Sequence, residues 1–385
     1  MSENKWWTLE LEGMPGFEMA MKRVYAWYEG EIIDRPPVRF IAHNAFVDEI
    51  NQAYPSADIK DRWFDEEFQV DTFLKSIQGK TFHGETFPVF WPNLGPNFYA
   101  ALYGAELEFR DVTSWSPPMI YNWTDTNNLK LDLSNPYAKK IDDLTRCALE
   151  KCTGKFMVGY TDLHPGLDCA MVWRGSQQLC LDLYDQPEEV KKLTHLAIND
   201  FETIFDHYDS MLKAKRQLSV SWMGIPSFGK MHIPSCDFSS MISTDCFVEF
   251  SLPALRRETA HTTHNIYHVD GKGVARHLDI ILSEPGVHAI QWVQGVGDDQ
   301  PILQWIPLIK KIQAKKPVIV DLQPHELEPF IEQMRPEGLF LWIATMSEEE
   351  ELAIIKRLER WVATQKHNQS GAPSLVTERR VHLKN

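Results

Sequence analysis

Residues 265–271, NIYHVDG, and residues 287–293, VHAIQWV, are the runs whose reading decides the fold. Both are short, rich in apolar and β-branched side chains, and bounded by Gly, Pro or Asp, which is the pattern of a strand. Such runs read as strands buried on both faces, as parallel strands are. The pattern recurs in PVRFIAH (37–43), FPVFW (87–91), FMVGY (156–160), LSVSWM (218–223), PVIVD (317–321) and GLFLWIA (338–344). Helical segments lie between them. Residues 187–212 open with a proline followed by acids, a good helix start. Residues 301–316 have apolar residues at helical spacing and a basic end that suits the helix dipole. Residues 324–336 follow the same plan, as do residues 347–365, where Ser347 caps a run of glutamates. Strand alternating with helix predicts a parallel sheet with helices outside. Eight strand runs make the closed (β/α)8 TIM barrel, an α/β fold, the economical choice. The alternative is an open doubly wound sheet, which needs a topological switch point and usually a Gly-rich first turn. The turn after the first run, AHNAFVDE (42–49), has no glycine.

Residues 80–130 do not fit a bare barrel. They are rich in Pro, Gly, Asn and Trp and read as a long aromatic insertion forming a lid or pocket wall. Residues 1–366, insertion included, are expected to form a single barrel domain, with 367–385 a loose tail. The 385-residue chain is 43% apolar, with 13 Trp and 20 Phe, enough for a large core and aromatic pockets. Its formal net charge of −15 repels phosphate backbones, so nucleic acid and anionic membrane are not expected partners. The opening MSENKWWTLELEG lacks the basic and apolar regions of a signal peptide. No run approaches the ~20 apolar residues of a membrane-spanning helix. Cys147, Cys152, Cys169, Cys180, Cys236 and Cys246 form no CxxC pair and read as reduced thiols in a cytoplasmic protein.

An active site in a barrel gathers where the strands end. The first run ends at His43 and Asn44. Residues 156–160 lead to Asp162 and His164. The segment after 218–223 supplies His232, Cys236 and Asp237. Residues 287–293 contribute Gln291 and Trp292, residues 317–321 end at Asp321, and Trp91 stands in the insertion. A His at a strand end is more often a hydrogen-bonded structural residue than a ligand. His268 and Asp270 weigh differently, because strand alternation puts both on one face. Two ionisable groups at one barrel end are costly unless paired or used. Asp270 would fix the tautomer of a neighbouring His, or both would hold a metal. Cys236 is either a zinc-ligating thiolate or an inert half-buried thiol. Trp91 and Trp292 are candidates to line a pocket for a flat or apolar ligand.

Three blocks resemble the uroporphyrinogen decarboxylase superfamily: MKRVYAWYEGEIIDRPPVRFIAHN (21–44), AMVWRGSQQLCLDLYDQPEEVKKL (170–193) and IYHVDGKGVARHLDIILSEPGVHAIQW (266–292). The likeness runs over most of residues 15–365 and implies the (β/α)8 barrel. Members that decarboxylate uroporphyrinogen bind its carboxylates through arginines after the first strand. Only Arg39 is basic there, and it lies within the strand. Other members move methyl groups between a corrinoid protein and an acceptor on zinc, held by a His-x-Cys and a later Cys. Here His268-Val269-Asp270 stands where His-x-Cys would, and LFLWIATMSEE (339–349) offers no later Cys. Zinc accepts His, Asp and Cys together. With fewer thiolates it is a stronger Lewis acid, suited to polarising a methyl ether or amine. The resemblance therefore implies a zinc-assisted methyltransferase with a corrinoid protein as partner. His268 and Asp270 would be catalytic and, with Cys236, metal-binding. His43, Asn44, Trp91, Asp162, His164, Gln291 and Trp292 would bind substrate. The alternatives are a decarboxylase-like lyase acting on a carboxylated, tetrapyrrole-type substrate, and a non-catalytic ligand-binding barrel.

Overall fold

The computed structural model describes residues 8–42, 45–345 and 347–370, the last five by backbone alone. His43, Asn44 and the chain beyond residue 370 lie outside the described residues. The strands are β1 (Val38–Ile41), β2 (Val89–Phe90), β3 (Glu108–Phe109), β4 (Ser114–Trp115) and β5 (Met157–Val158). They continue with β6 (Met231–His232), β7 (His264–Asp270), β8 (Ala289–Val293), β9 (Val318–Leu322) and β10 (Leu339–Ala344). Six form one parallel sheet in the order β1-β10-β9-β8-β7-β6. The first strand thus pairs with the last, which curls the sheet.

Alternation sorts the side chains of this sheet into two cores. Tyr267, Val269, Ile290, Trp292, Val320, Leu341 and Ile343 face outward into the layer shared with the helices. Ile266, Ala289, Ile319 and Phe340 face inward. Helix Phe17–Tyr28 plugs that inner core at its lower end. Phe17, Ala20, Met21, Val24 and Trp27 recur at helical spacing and bury one stripe there. The Trp27 indole N–H donates to the Gly338 carbonyl at 3.1 Å. Full burial of each large apolar side chain contributes roughly 1.5–3 kcal/mol. Toward the C-terminal strand ends the inner face turns polar. The register sets His268 beside Gln291, and it sets Arg39, Trp342 and Asp321 in one row.

The fold differs from the expected closed barrel. The sheet is a six-stranded half-barrel, and β2 pairs with β5 in a separate two-stranded parallel ladder. One backbone–backbone hydrogen bond on each side links that ladder to its neighbours, Glu85 N–H to the Val38 carbonyl, 2.7 Å, and Tyr160 N–H to the Val220 carbonyl, 2.8 Å; the other links run through side chains such as Glu85, Thr86 and Gln217. Pro88 and Pro92 flank β2 and offer no N–H to extend it. Residues 218–223 form no strand beyond an isolated bridge from Ser219 to Ser227. The chain turns instead, with Gly224 N–H on the Ser221 carbonyl and Gly224 at φ +65°. The helix expected over 187–212 is two helices, Pro187–Asn199 and Phe201–Ala214, parted at Asp200. Helix Glu348–Ser370 continues into the expected tail, and Ser347 Oγ accepts Glu350 N–H at 3.2 Å as its cap. Within the insertion, Phe90, Phe98 and Tyr99 are buried in the core. No described helix is long and apolar enough to cross a membrane.

Candidate metal centre at the strand ends

β7 carries His268 and Asp270 on one face at its C-terminal end. Asp237 joins them from the loop after β6. A ring nitrogen of His268 and a carboxylate oxygen from each aspartate all lie within 4.8 Å of one another. Asp237 and Asp270 are exposed and His268 is half-buried. His268 Nδ1 lies 2.6 Å from Gln291 Oε1. An amide oxygen only accepts, so Nδ1 donates, and in the neutral ring this fixes the tautomer whose lone pair is on Nε2. Metal-binding histidines are held in this way by an outer partner. The Trp222 ring meets the imidazole edge-on at 5.3 Å, which further limits its rotation.

A second polar group adjoins the first. His164 Nε2 lies 2.7 Å from Asp162 Oδ2, and Nδ1 lies 2.8 Å from Ser235 Oγ. Burial disfavours the charged ring, but Asp162 outweighs it, with help from Asp168 and Asp237, and lifts His164 to about 10. The ring is therefore an imidazolium at neutral pH and not a base. The buried Asp168 accepts the N–H groups of Asp237 and Phe238, each at 2.9 Å. Burial and the nearby Asp237 charge raise Asp168 to about 6. A cleft of about 160 Å³ opens beside Asp237, walled by His164, Asp168, Met171 and Val172 and, from the insertion, Pro96, Asn97 and Ala100.

Arg39 and Asp321 also point inside the sheet, on either side of Trp342 in one register row. The Arg39 guanidinium lies 4.7 Å from the Trp342 ring centre and donates to the Met223 carbonyl. Burial lowers it to about 10 despite Asp321. Burial lifts Asp321 to about 6, against the pull of Arg39 and His268.

Of the sequence candidates, the fold thus brings together His268, Asp270 and Gln291, with Asp162 and His164 alongside. It does not bring Cys236 there. That thiol is buried, and burial pushes it well above its ordinary range. Its neighbour Asp237 lies in the cluster with His268 and Asp270. Trp292 is fully buried on the outer face, 5.0 Å from Trp305, because it follows Gln291 in a strand. Trp91 lines a different cleft, of about 300 Å³, with Arg62, Trp63 and Asn93. His43 and Asn44 lie outside the described residues. Asp237 and Asp321 are legible as strand-end residues without a role. Asp168 is missed altogether; its one signal is a spacing of four from His164 at the start of a helix.

No family model matches the chain, and no curated protein does. Among solved structures, a methyltransferase from Methanosarcina mazei superposes with a TM-score of 0.59 at 11% identity, over 91% of this chain and 99% of that one. At that identity the likeness is one of fold.

Proposed function

We propose that the protein is a metal-dependent methyltransferase-like enzyme, with Asp237, His268 and Asp270 as the metal ligands. The observation that carries this reading is that cluster, gathered within 4.8 Å at the strand ends, where a parallel curled sheet places its chemistry. The fold shared with a methyltransferase supports it. One imidazole and two carboxylates suit zinc or another divalent cation. The set has no thiolate, so it fits a Lewis acid rather than a thiol-activating centre. Such an ion, when bound, would polarise the heteroatom that carries the methyl group.

The residues divide the remaining work. Gln291 holds His268 in the tautomer that leaves Nε2 free. Asp237 and Asp270 balance the charge of a divalent ion. The cleft beside Asp237 receives a small methylated substrate, with Ala100, Met171 and Val172 against its apolar part and Asn97 beside its polar end. Its 160 Å³ equals about five water-sized groups at ~30 Å³ each, so the seated part is small. The methyl acceptor in this reading is a reduced corrinoid carried by a partner protein, docked over the strand ends.

The lyase reading draws on Arg39, the inward-facing cation in the first strand. Its guanidinium donates to the Met223 carbonyl and packs on the Trp342 ring, which holds it inside the sheet. Metal analysis of the purified chain tests the main reading. The expected result is about one divalent ion per chain, lost in His268→Ala. Absence of stoichiometric metal, with ligand binding intact in His268→Ala, overturns it in favour of a non-catalytic barrel. Demethylation of small methylated compounds with added cob(I)alamin tests the transfer itself.

A further inference from the structure

Asp237 stands at the end of a loop, residues 233–236, that has no regular structure, and opens the short 3-10 helix Asp237–Met241. A ligand on such a loop needs an external hold if its carboxylate is to stay aimed. Three tethers supply it. The Pro234 carbonyl accepts His268 N–H at 3.0 Å. Ser235 Oγ meets His164 Nδ1 at 2.8 Å, with Asp162 gripping the other side of the ring. Asp168 takes the N–H of Asp237 on Oδ2 and the N–H of Phe238 on Oδ1, both at 2.9 Å.

Asp168 is the tether whose presence most needs explaining. It is 6% exposed, on the helix Gly166–Arg174, and its carboxylate lies close to another acid. A buried carboxylate beside a like charge is costly. Two charge-assisted hydrogen bonds offset part of that cost, and both go to consecutive residues at the point where the ligand leaves the backbone. A carboxylate accepting two adjacent N–H groups fixes their peptide planes, and so the direction of the Asp237 side chain.

We infer that Asp168 is the positioning residue of the metal centre, gripping the Asp237–Phe238 backbone so that the Asp237 carboxylate stays within reach of His268 and Asp270. His164 braces the same loop at Ser235. The inference rests on the metal-binding reading above; Asp168 also walls the cleft beside Asp237, but it acts on the metal centre only through the Asp237–Phe238 backbone.

The test uses the full chain titrated with Zn²⁺ and Co²⁺. Asp168→Ala is expected to weaken binding of both ions about 10–100-fold, the range for outer-shell partners. Asp168→Asn keeps the side-chain volume and one acceptor, and is expected to lose less; it serves if the Ala variant fails to fold. The visible absorption of the Co²⁺-loaded variants is expected to shift, because a misaimed Asp237 changes the coordination geometry. In the metal-free chain, amide exchange over residues 234–241 is expected to rise in Asp168→Ala and to stay unchanged in His268→Ala. Wild-type affinity, spectrum and exchange in both Asp168 variants overturn the inference and leave the metal centre standing. A wild-type chain that binds neither ion overturns the metal centre, and the exchange measurement then decides the clamp by itself.

Discussion

β7 carries two histidines on one face, four residues apart, with opposite surroundings. His264, at the N-terminal end, packs against the rings of Tyr25 and Tyr28, with centres at 5.2 and 4.5 Å, and its Nδ1 meets Ser227 Oγ at 2.9 Å. Burial, with His288 nearby, drives it down to about 4. His268, at the other end, borders two exposed aspartates, and its Nδ1 meets Gln291 Oε1. The strand is the same, and so is the residue type. What differs is which end of the sheet is plugged by helix Phe17–Tyr28 and which is open. In parallel sheets of this kind the plugged end serves stability and the open end chemistry.

The sharpest way to break this contrast is to exchange the losses. His268→Ala is expected to lower Zn²⁺ affinity by more than the ~100-fold upper range of an outer-shell partner. It is expected to leave the melting temperature of the metal-free chain nearly unchanged. Titration calorimetry and calorimetric melting check the two halves. A metal affinity within tenfold of wild type would remove His268 from the centre.

His264→Ala is expected to do the reverse. Truncating this half-buried ring costs on the order of 2 kcal/mol, and Zn²⁺ affinity should not move. Denaturant unfolding measures the first and the same titration the second. A stability loss under about 1 kcal/mol would mean that the plugged end contributes less than its packing implies.

Acid should act on the plugged end in the same sense. An unfolded His titrates near 6.5 and the folded His264 near 4. Between those values the unfolded chain holds more protons, so stability falls as pH drops from 6.5 through 4 and levels off below. The shift corresponds to on the order of 3 kcal/mol. His288, also lowered by burial, adds to the same slope. His264→Phe should flatten that limb in unfolding curves taken between those pH values. An unchanged limb would assign the acid sensitivity to other groups.

The smallest expected effect tests the tautomer. Gln291→Met keeps the buried volume but removes the acceptor for His268 Nδ1. About a tenfold loss of Zn²⁺ affinity is expected, with a normal melting temperature for the metal-free chain. An unaltered affinity would show that Trp222 and the backbone orient His268 without Gln291.

Much of this contrast is legible in the residues themselves. NIYHVDG reads as a strand, and its alternation puts His268 and Asp270 together before any coordinates exist. The same rule separates Gln291 from Trp292, so the expectation that both bind substrate conflicts with the alternation itself. The choice between Cys236 and Asp237 is not legible. That segment is a loop without a period, so nothing local says which side chain turns inward. Asp168 is 69 residues from the backbone it holds, and an acid in the first turn of a helix is ordinary. The shortness of β2 and β5 is equally obscure, because FPVFW and FMVGY have the composition of longer strands. Their ladders stop where prolines remove donors and where the chain after Val220 turns away.

The sequence by itself determined the parallel α/β plan, the places of the long strands and the shared face of His268 and Asp270. These follow from periods of two and 3.6, which act over a few residues. Tertiary structure alone decided that β1 closes on β10, that Asp237 completes the cluster in place of Cys236, and that Gln291 and Asp168 hold it. Those outcomes depend on strand register and on contacts between segments far apart in the chain. Register is set by the packing of whole faces, and no single stretch of residues encodes it.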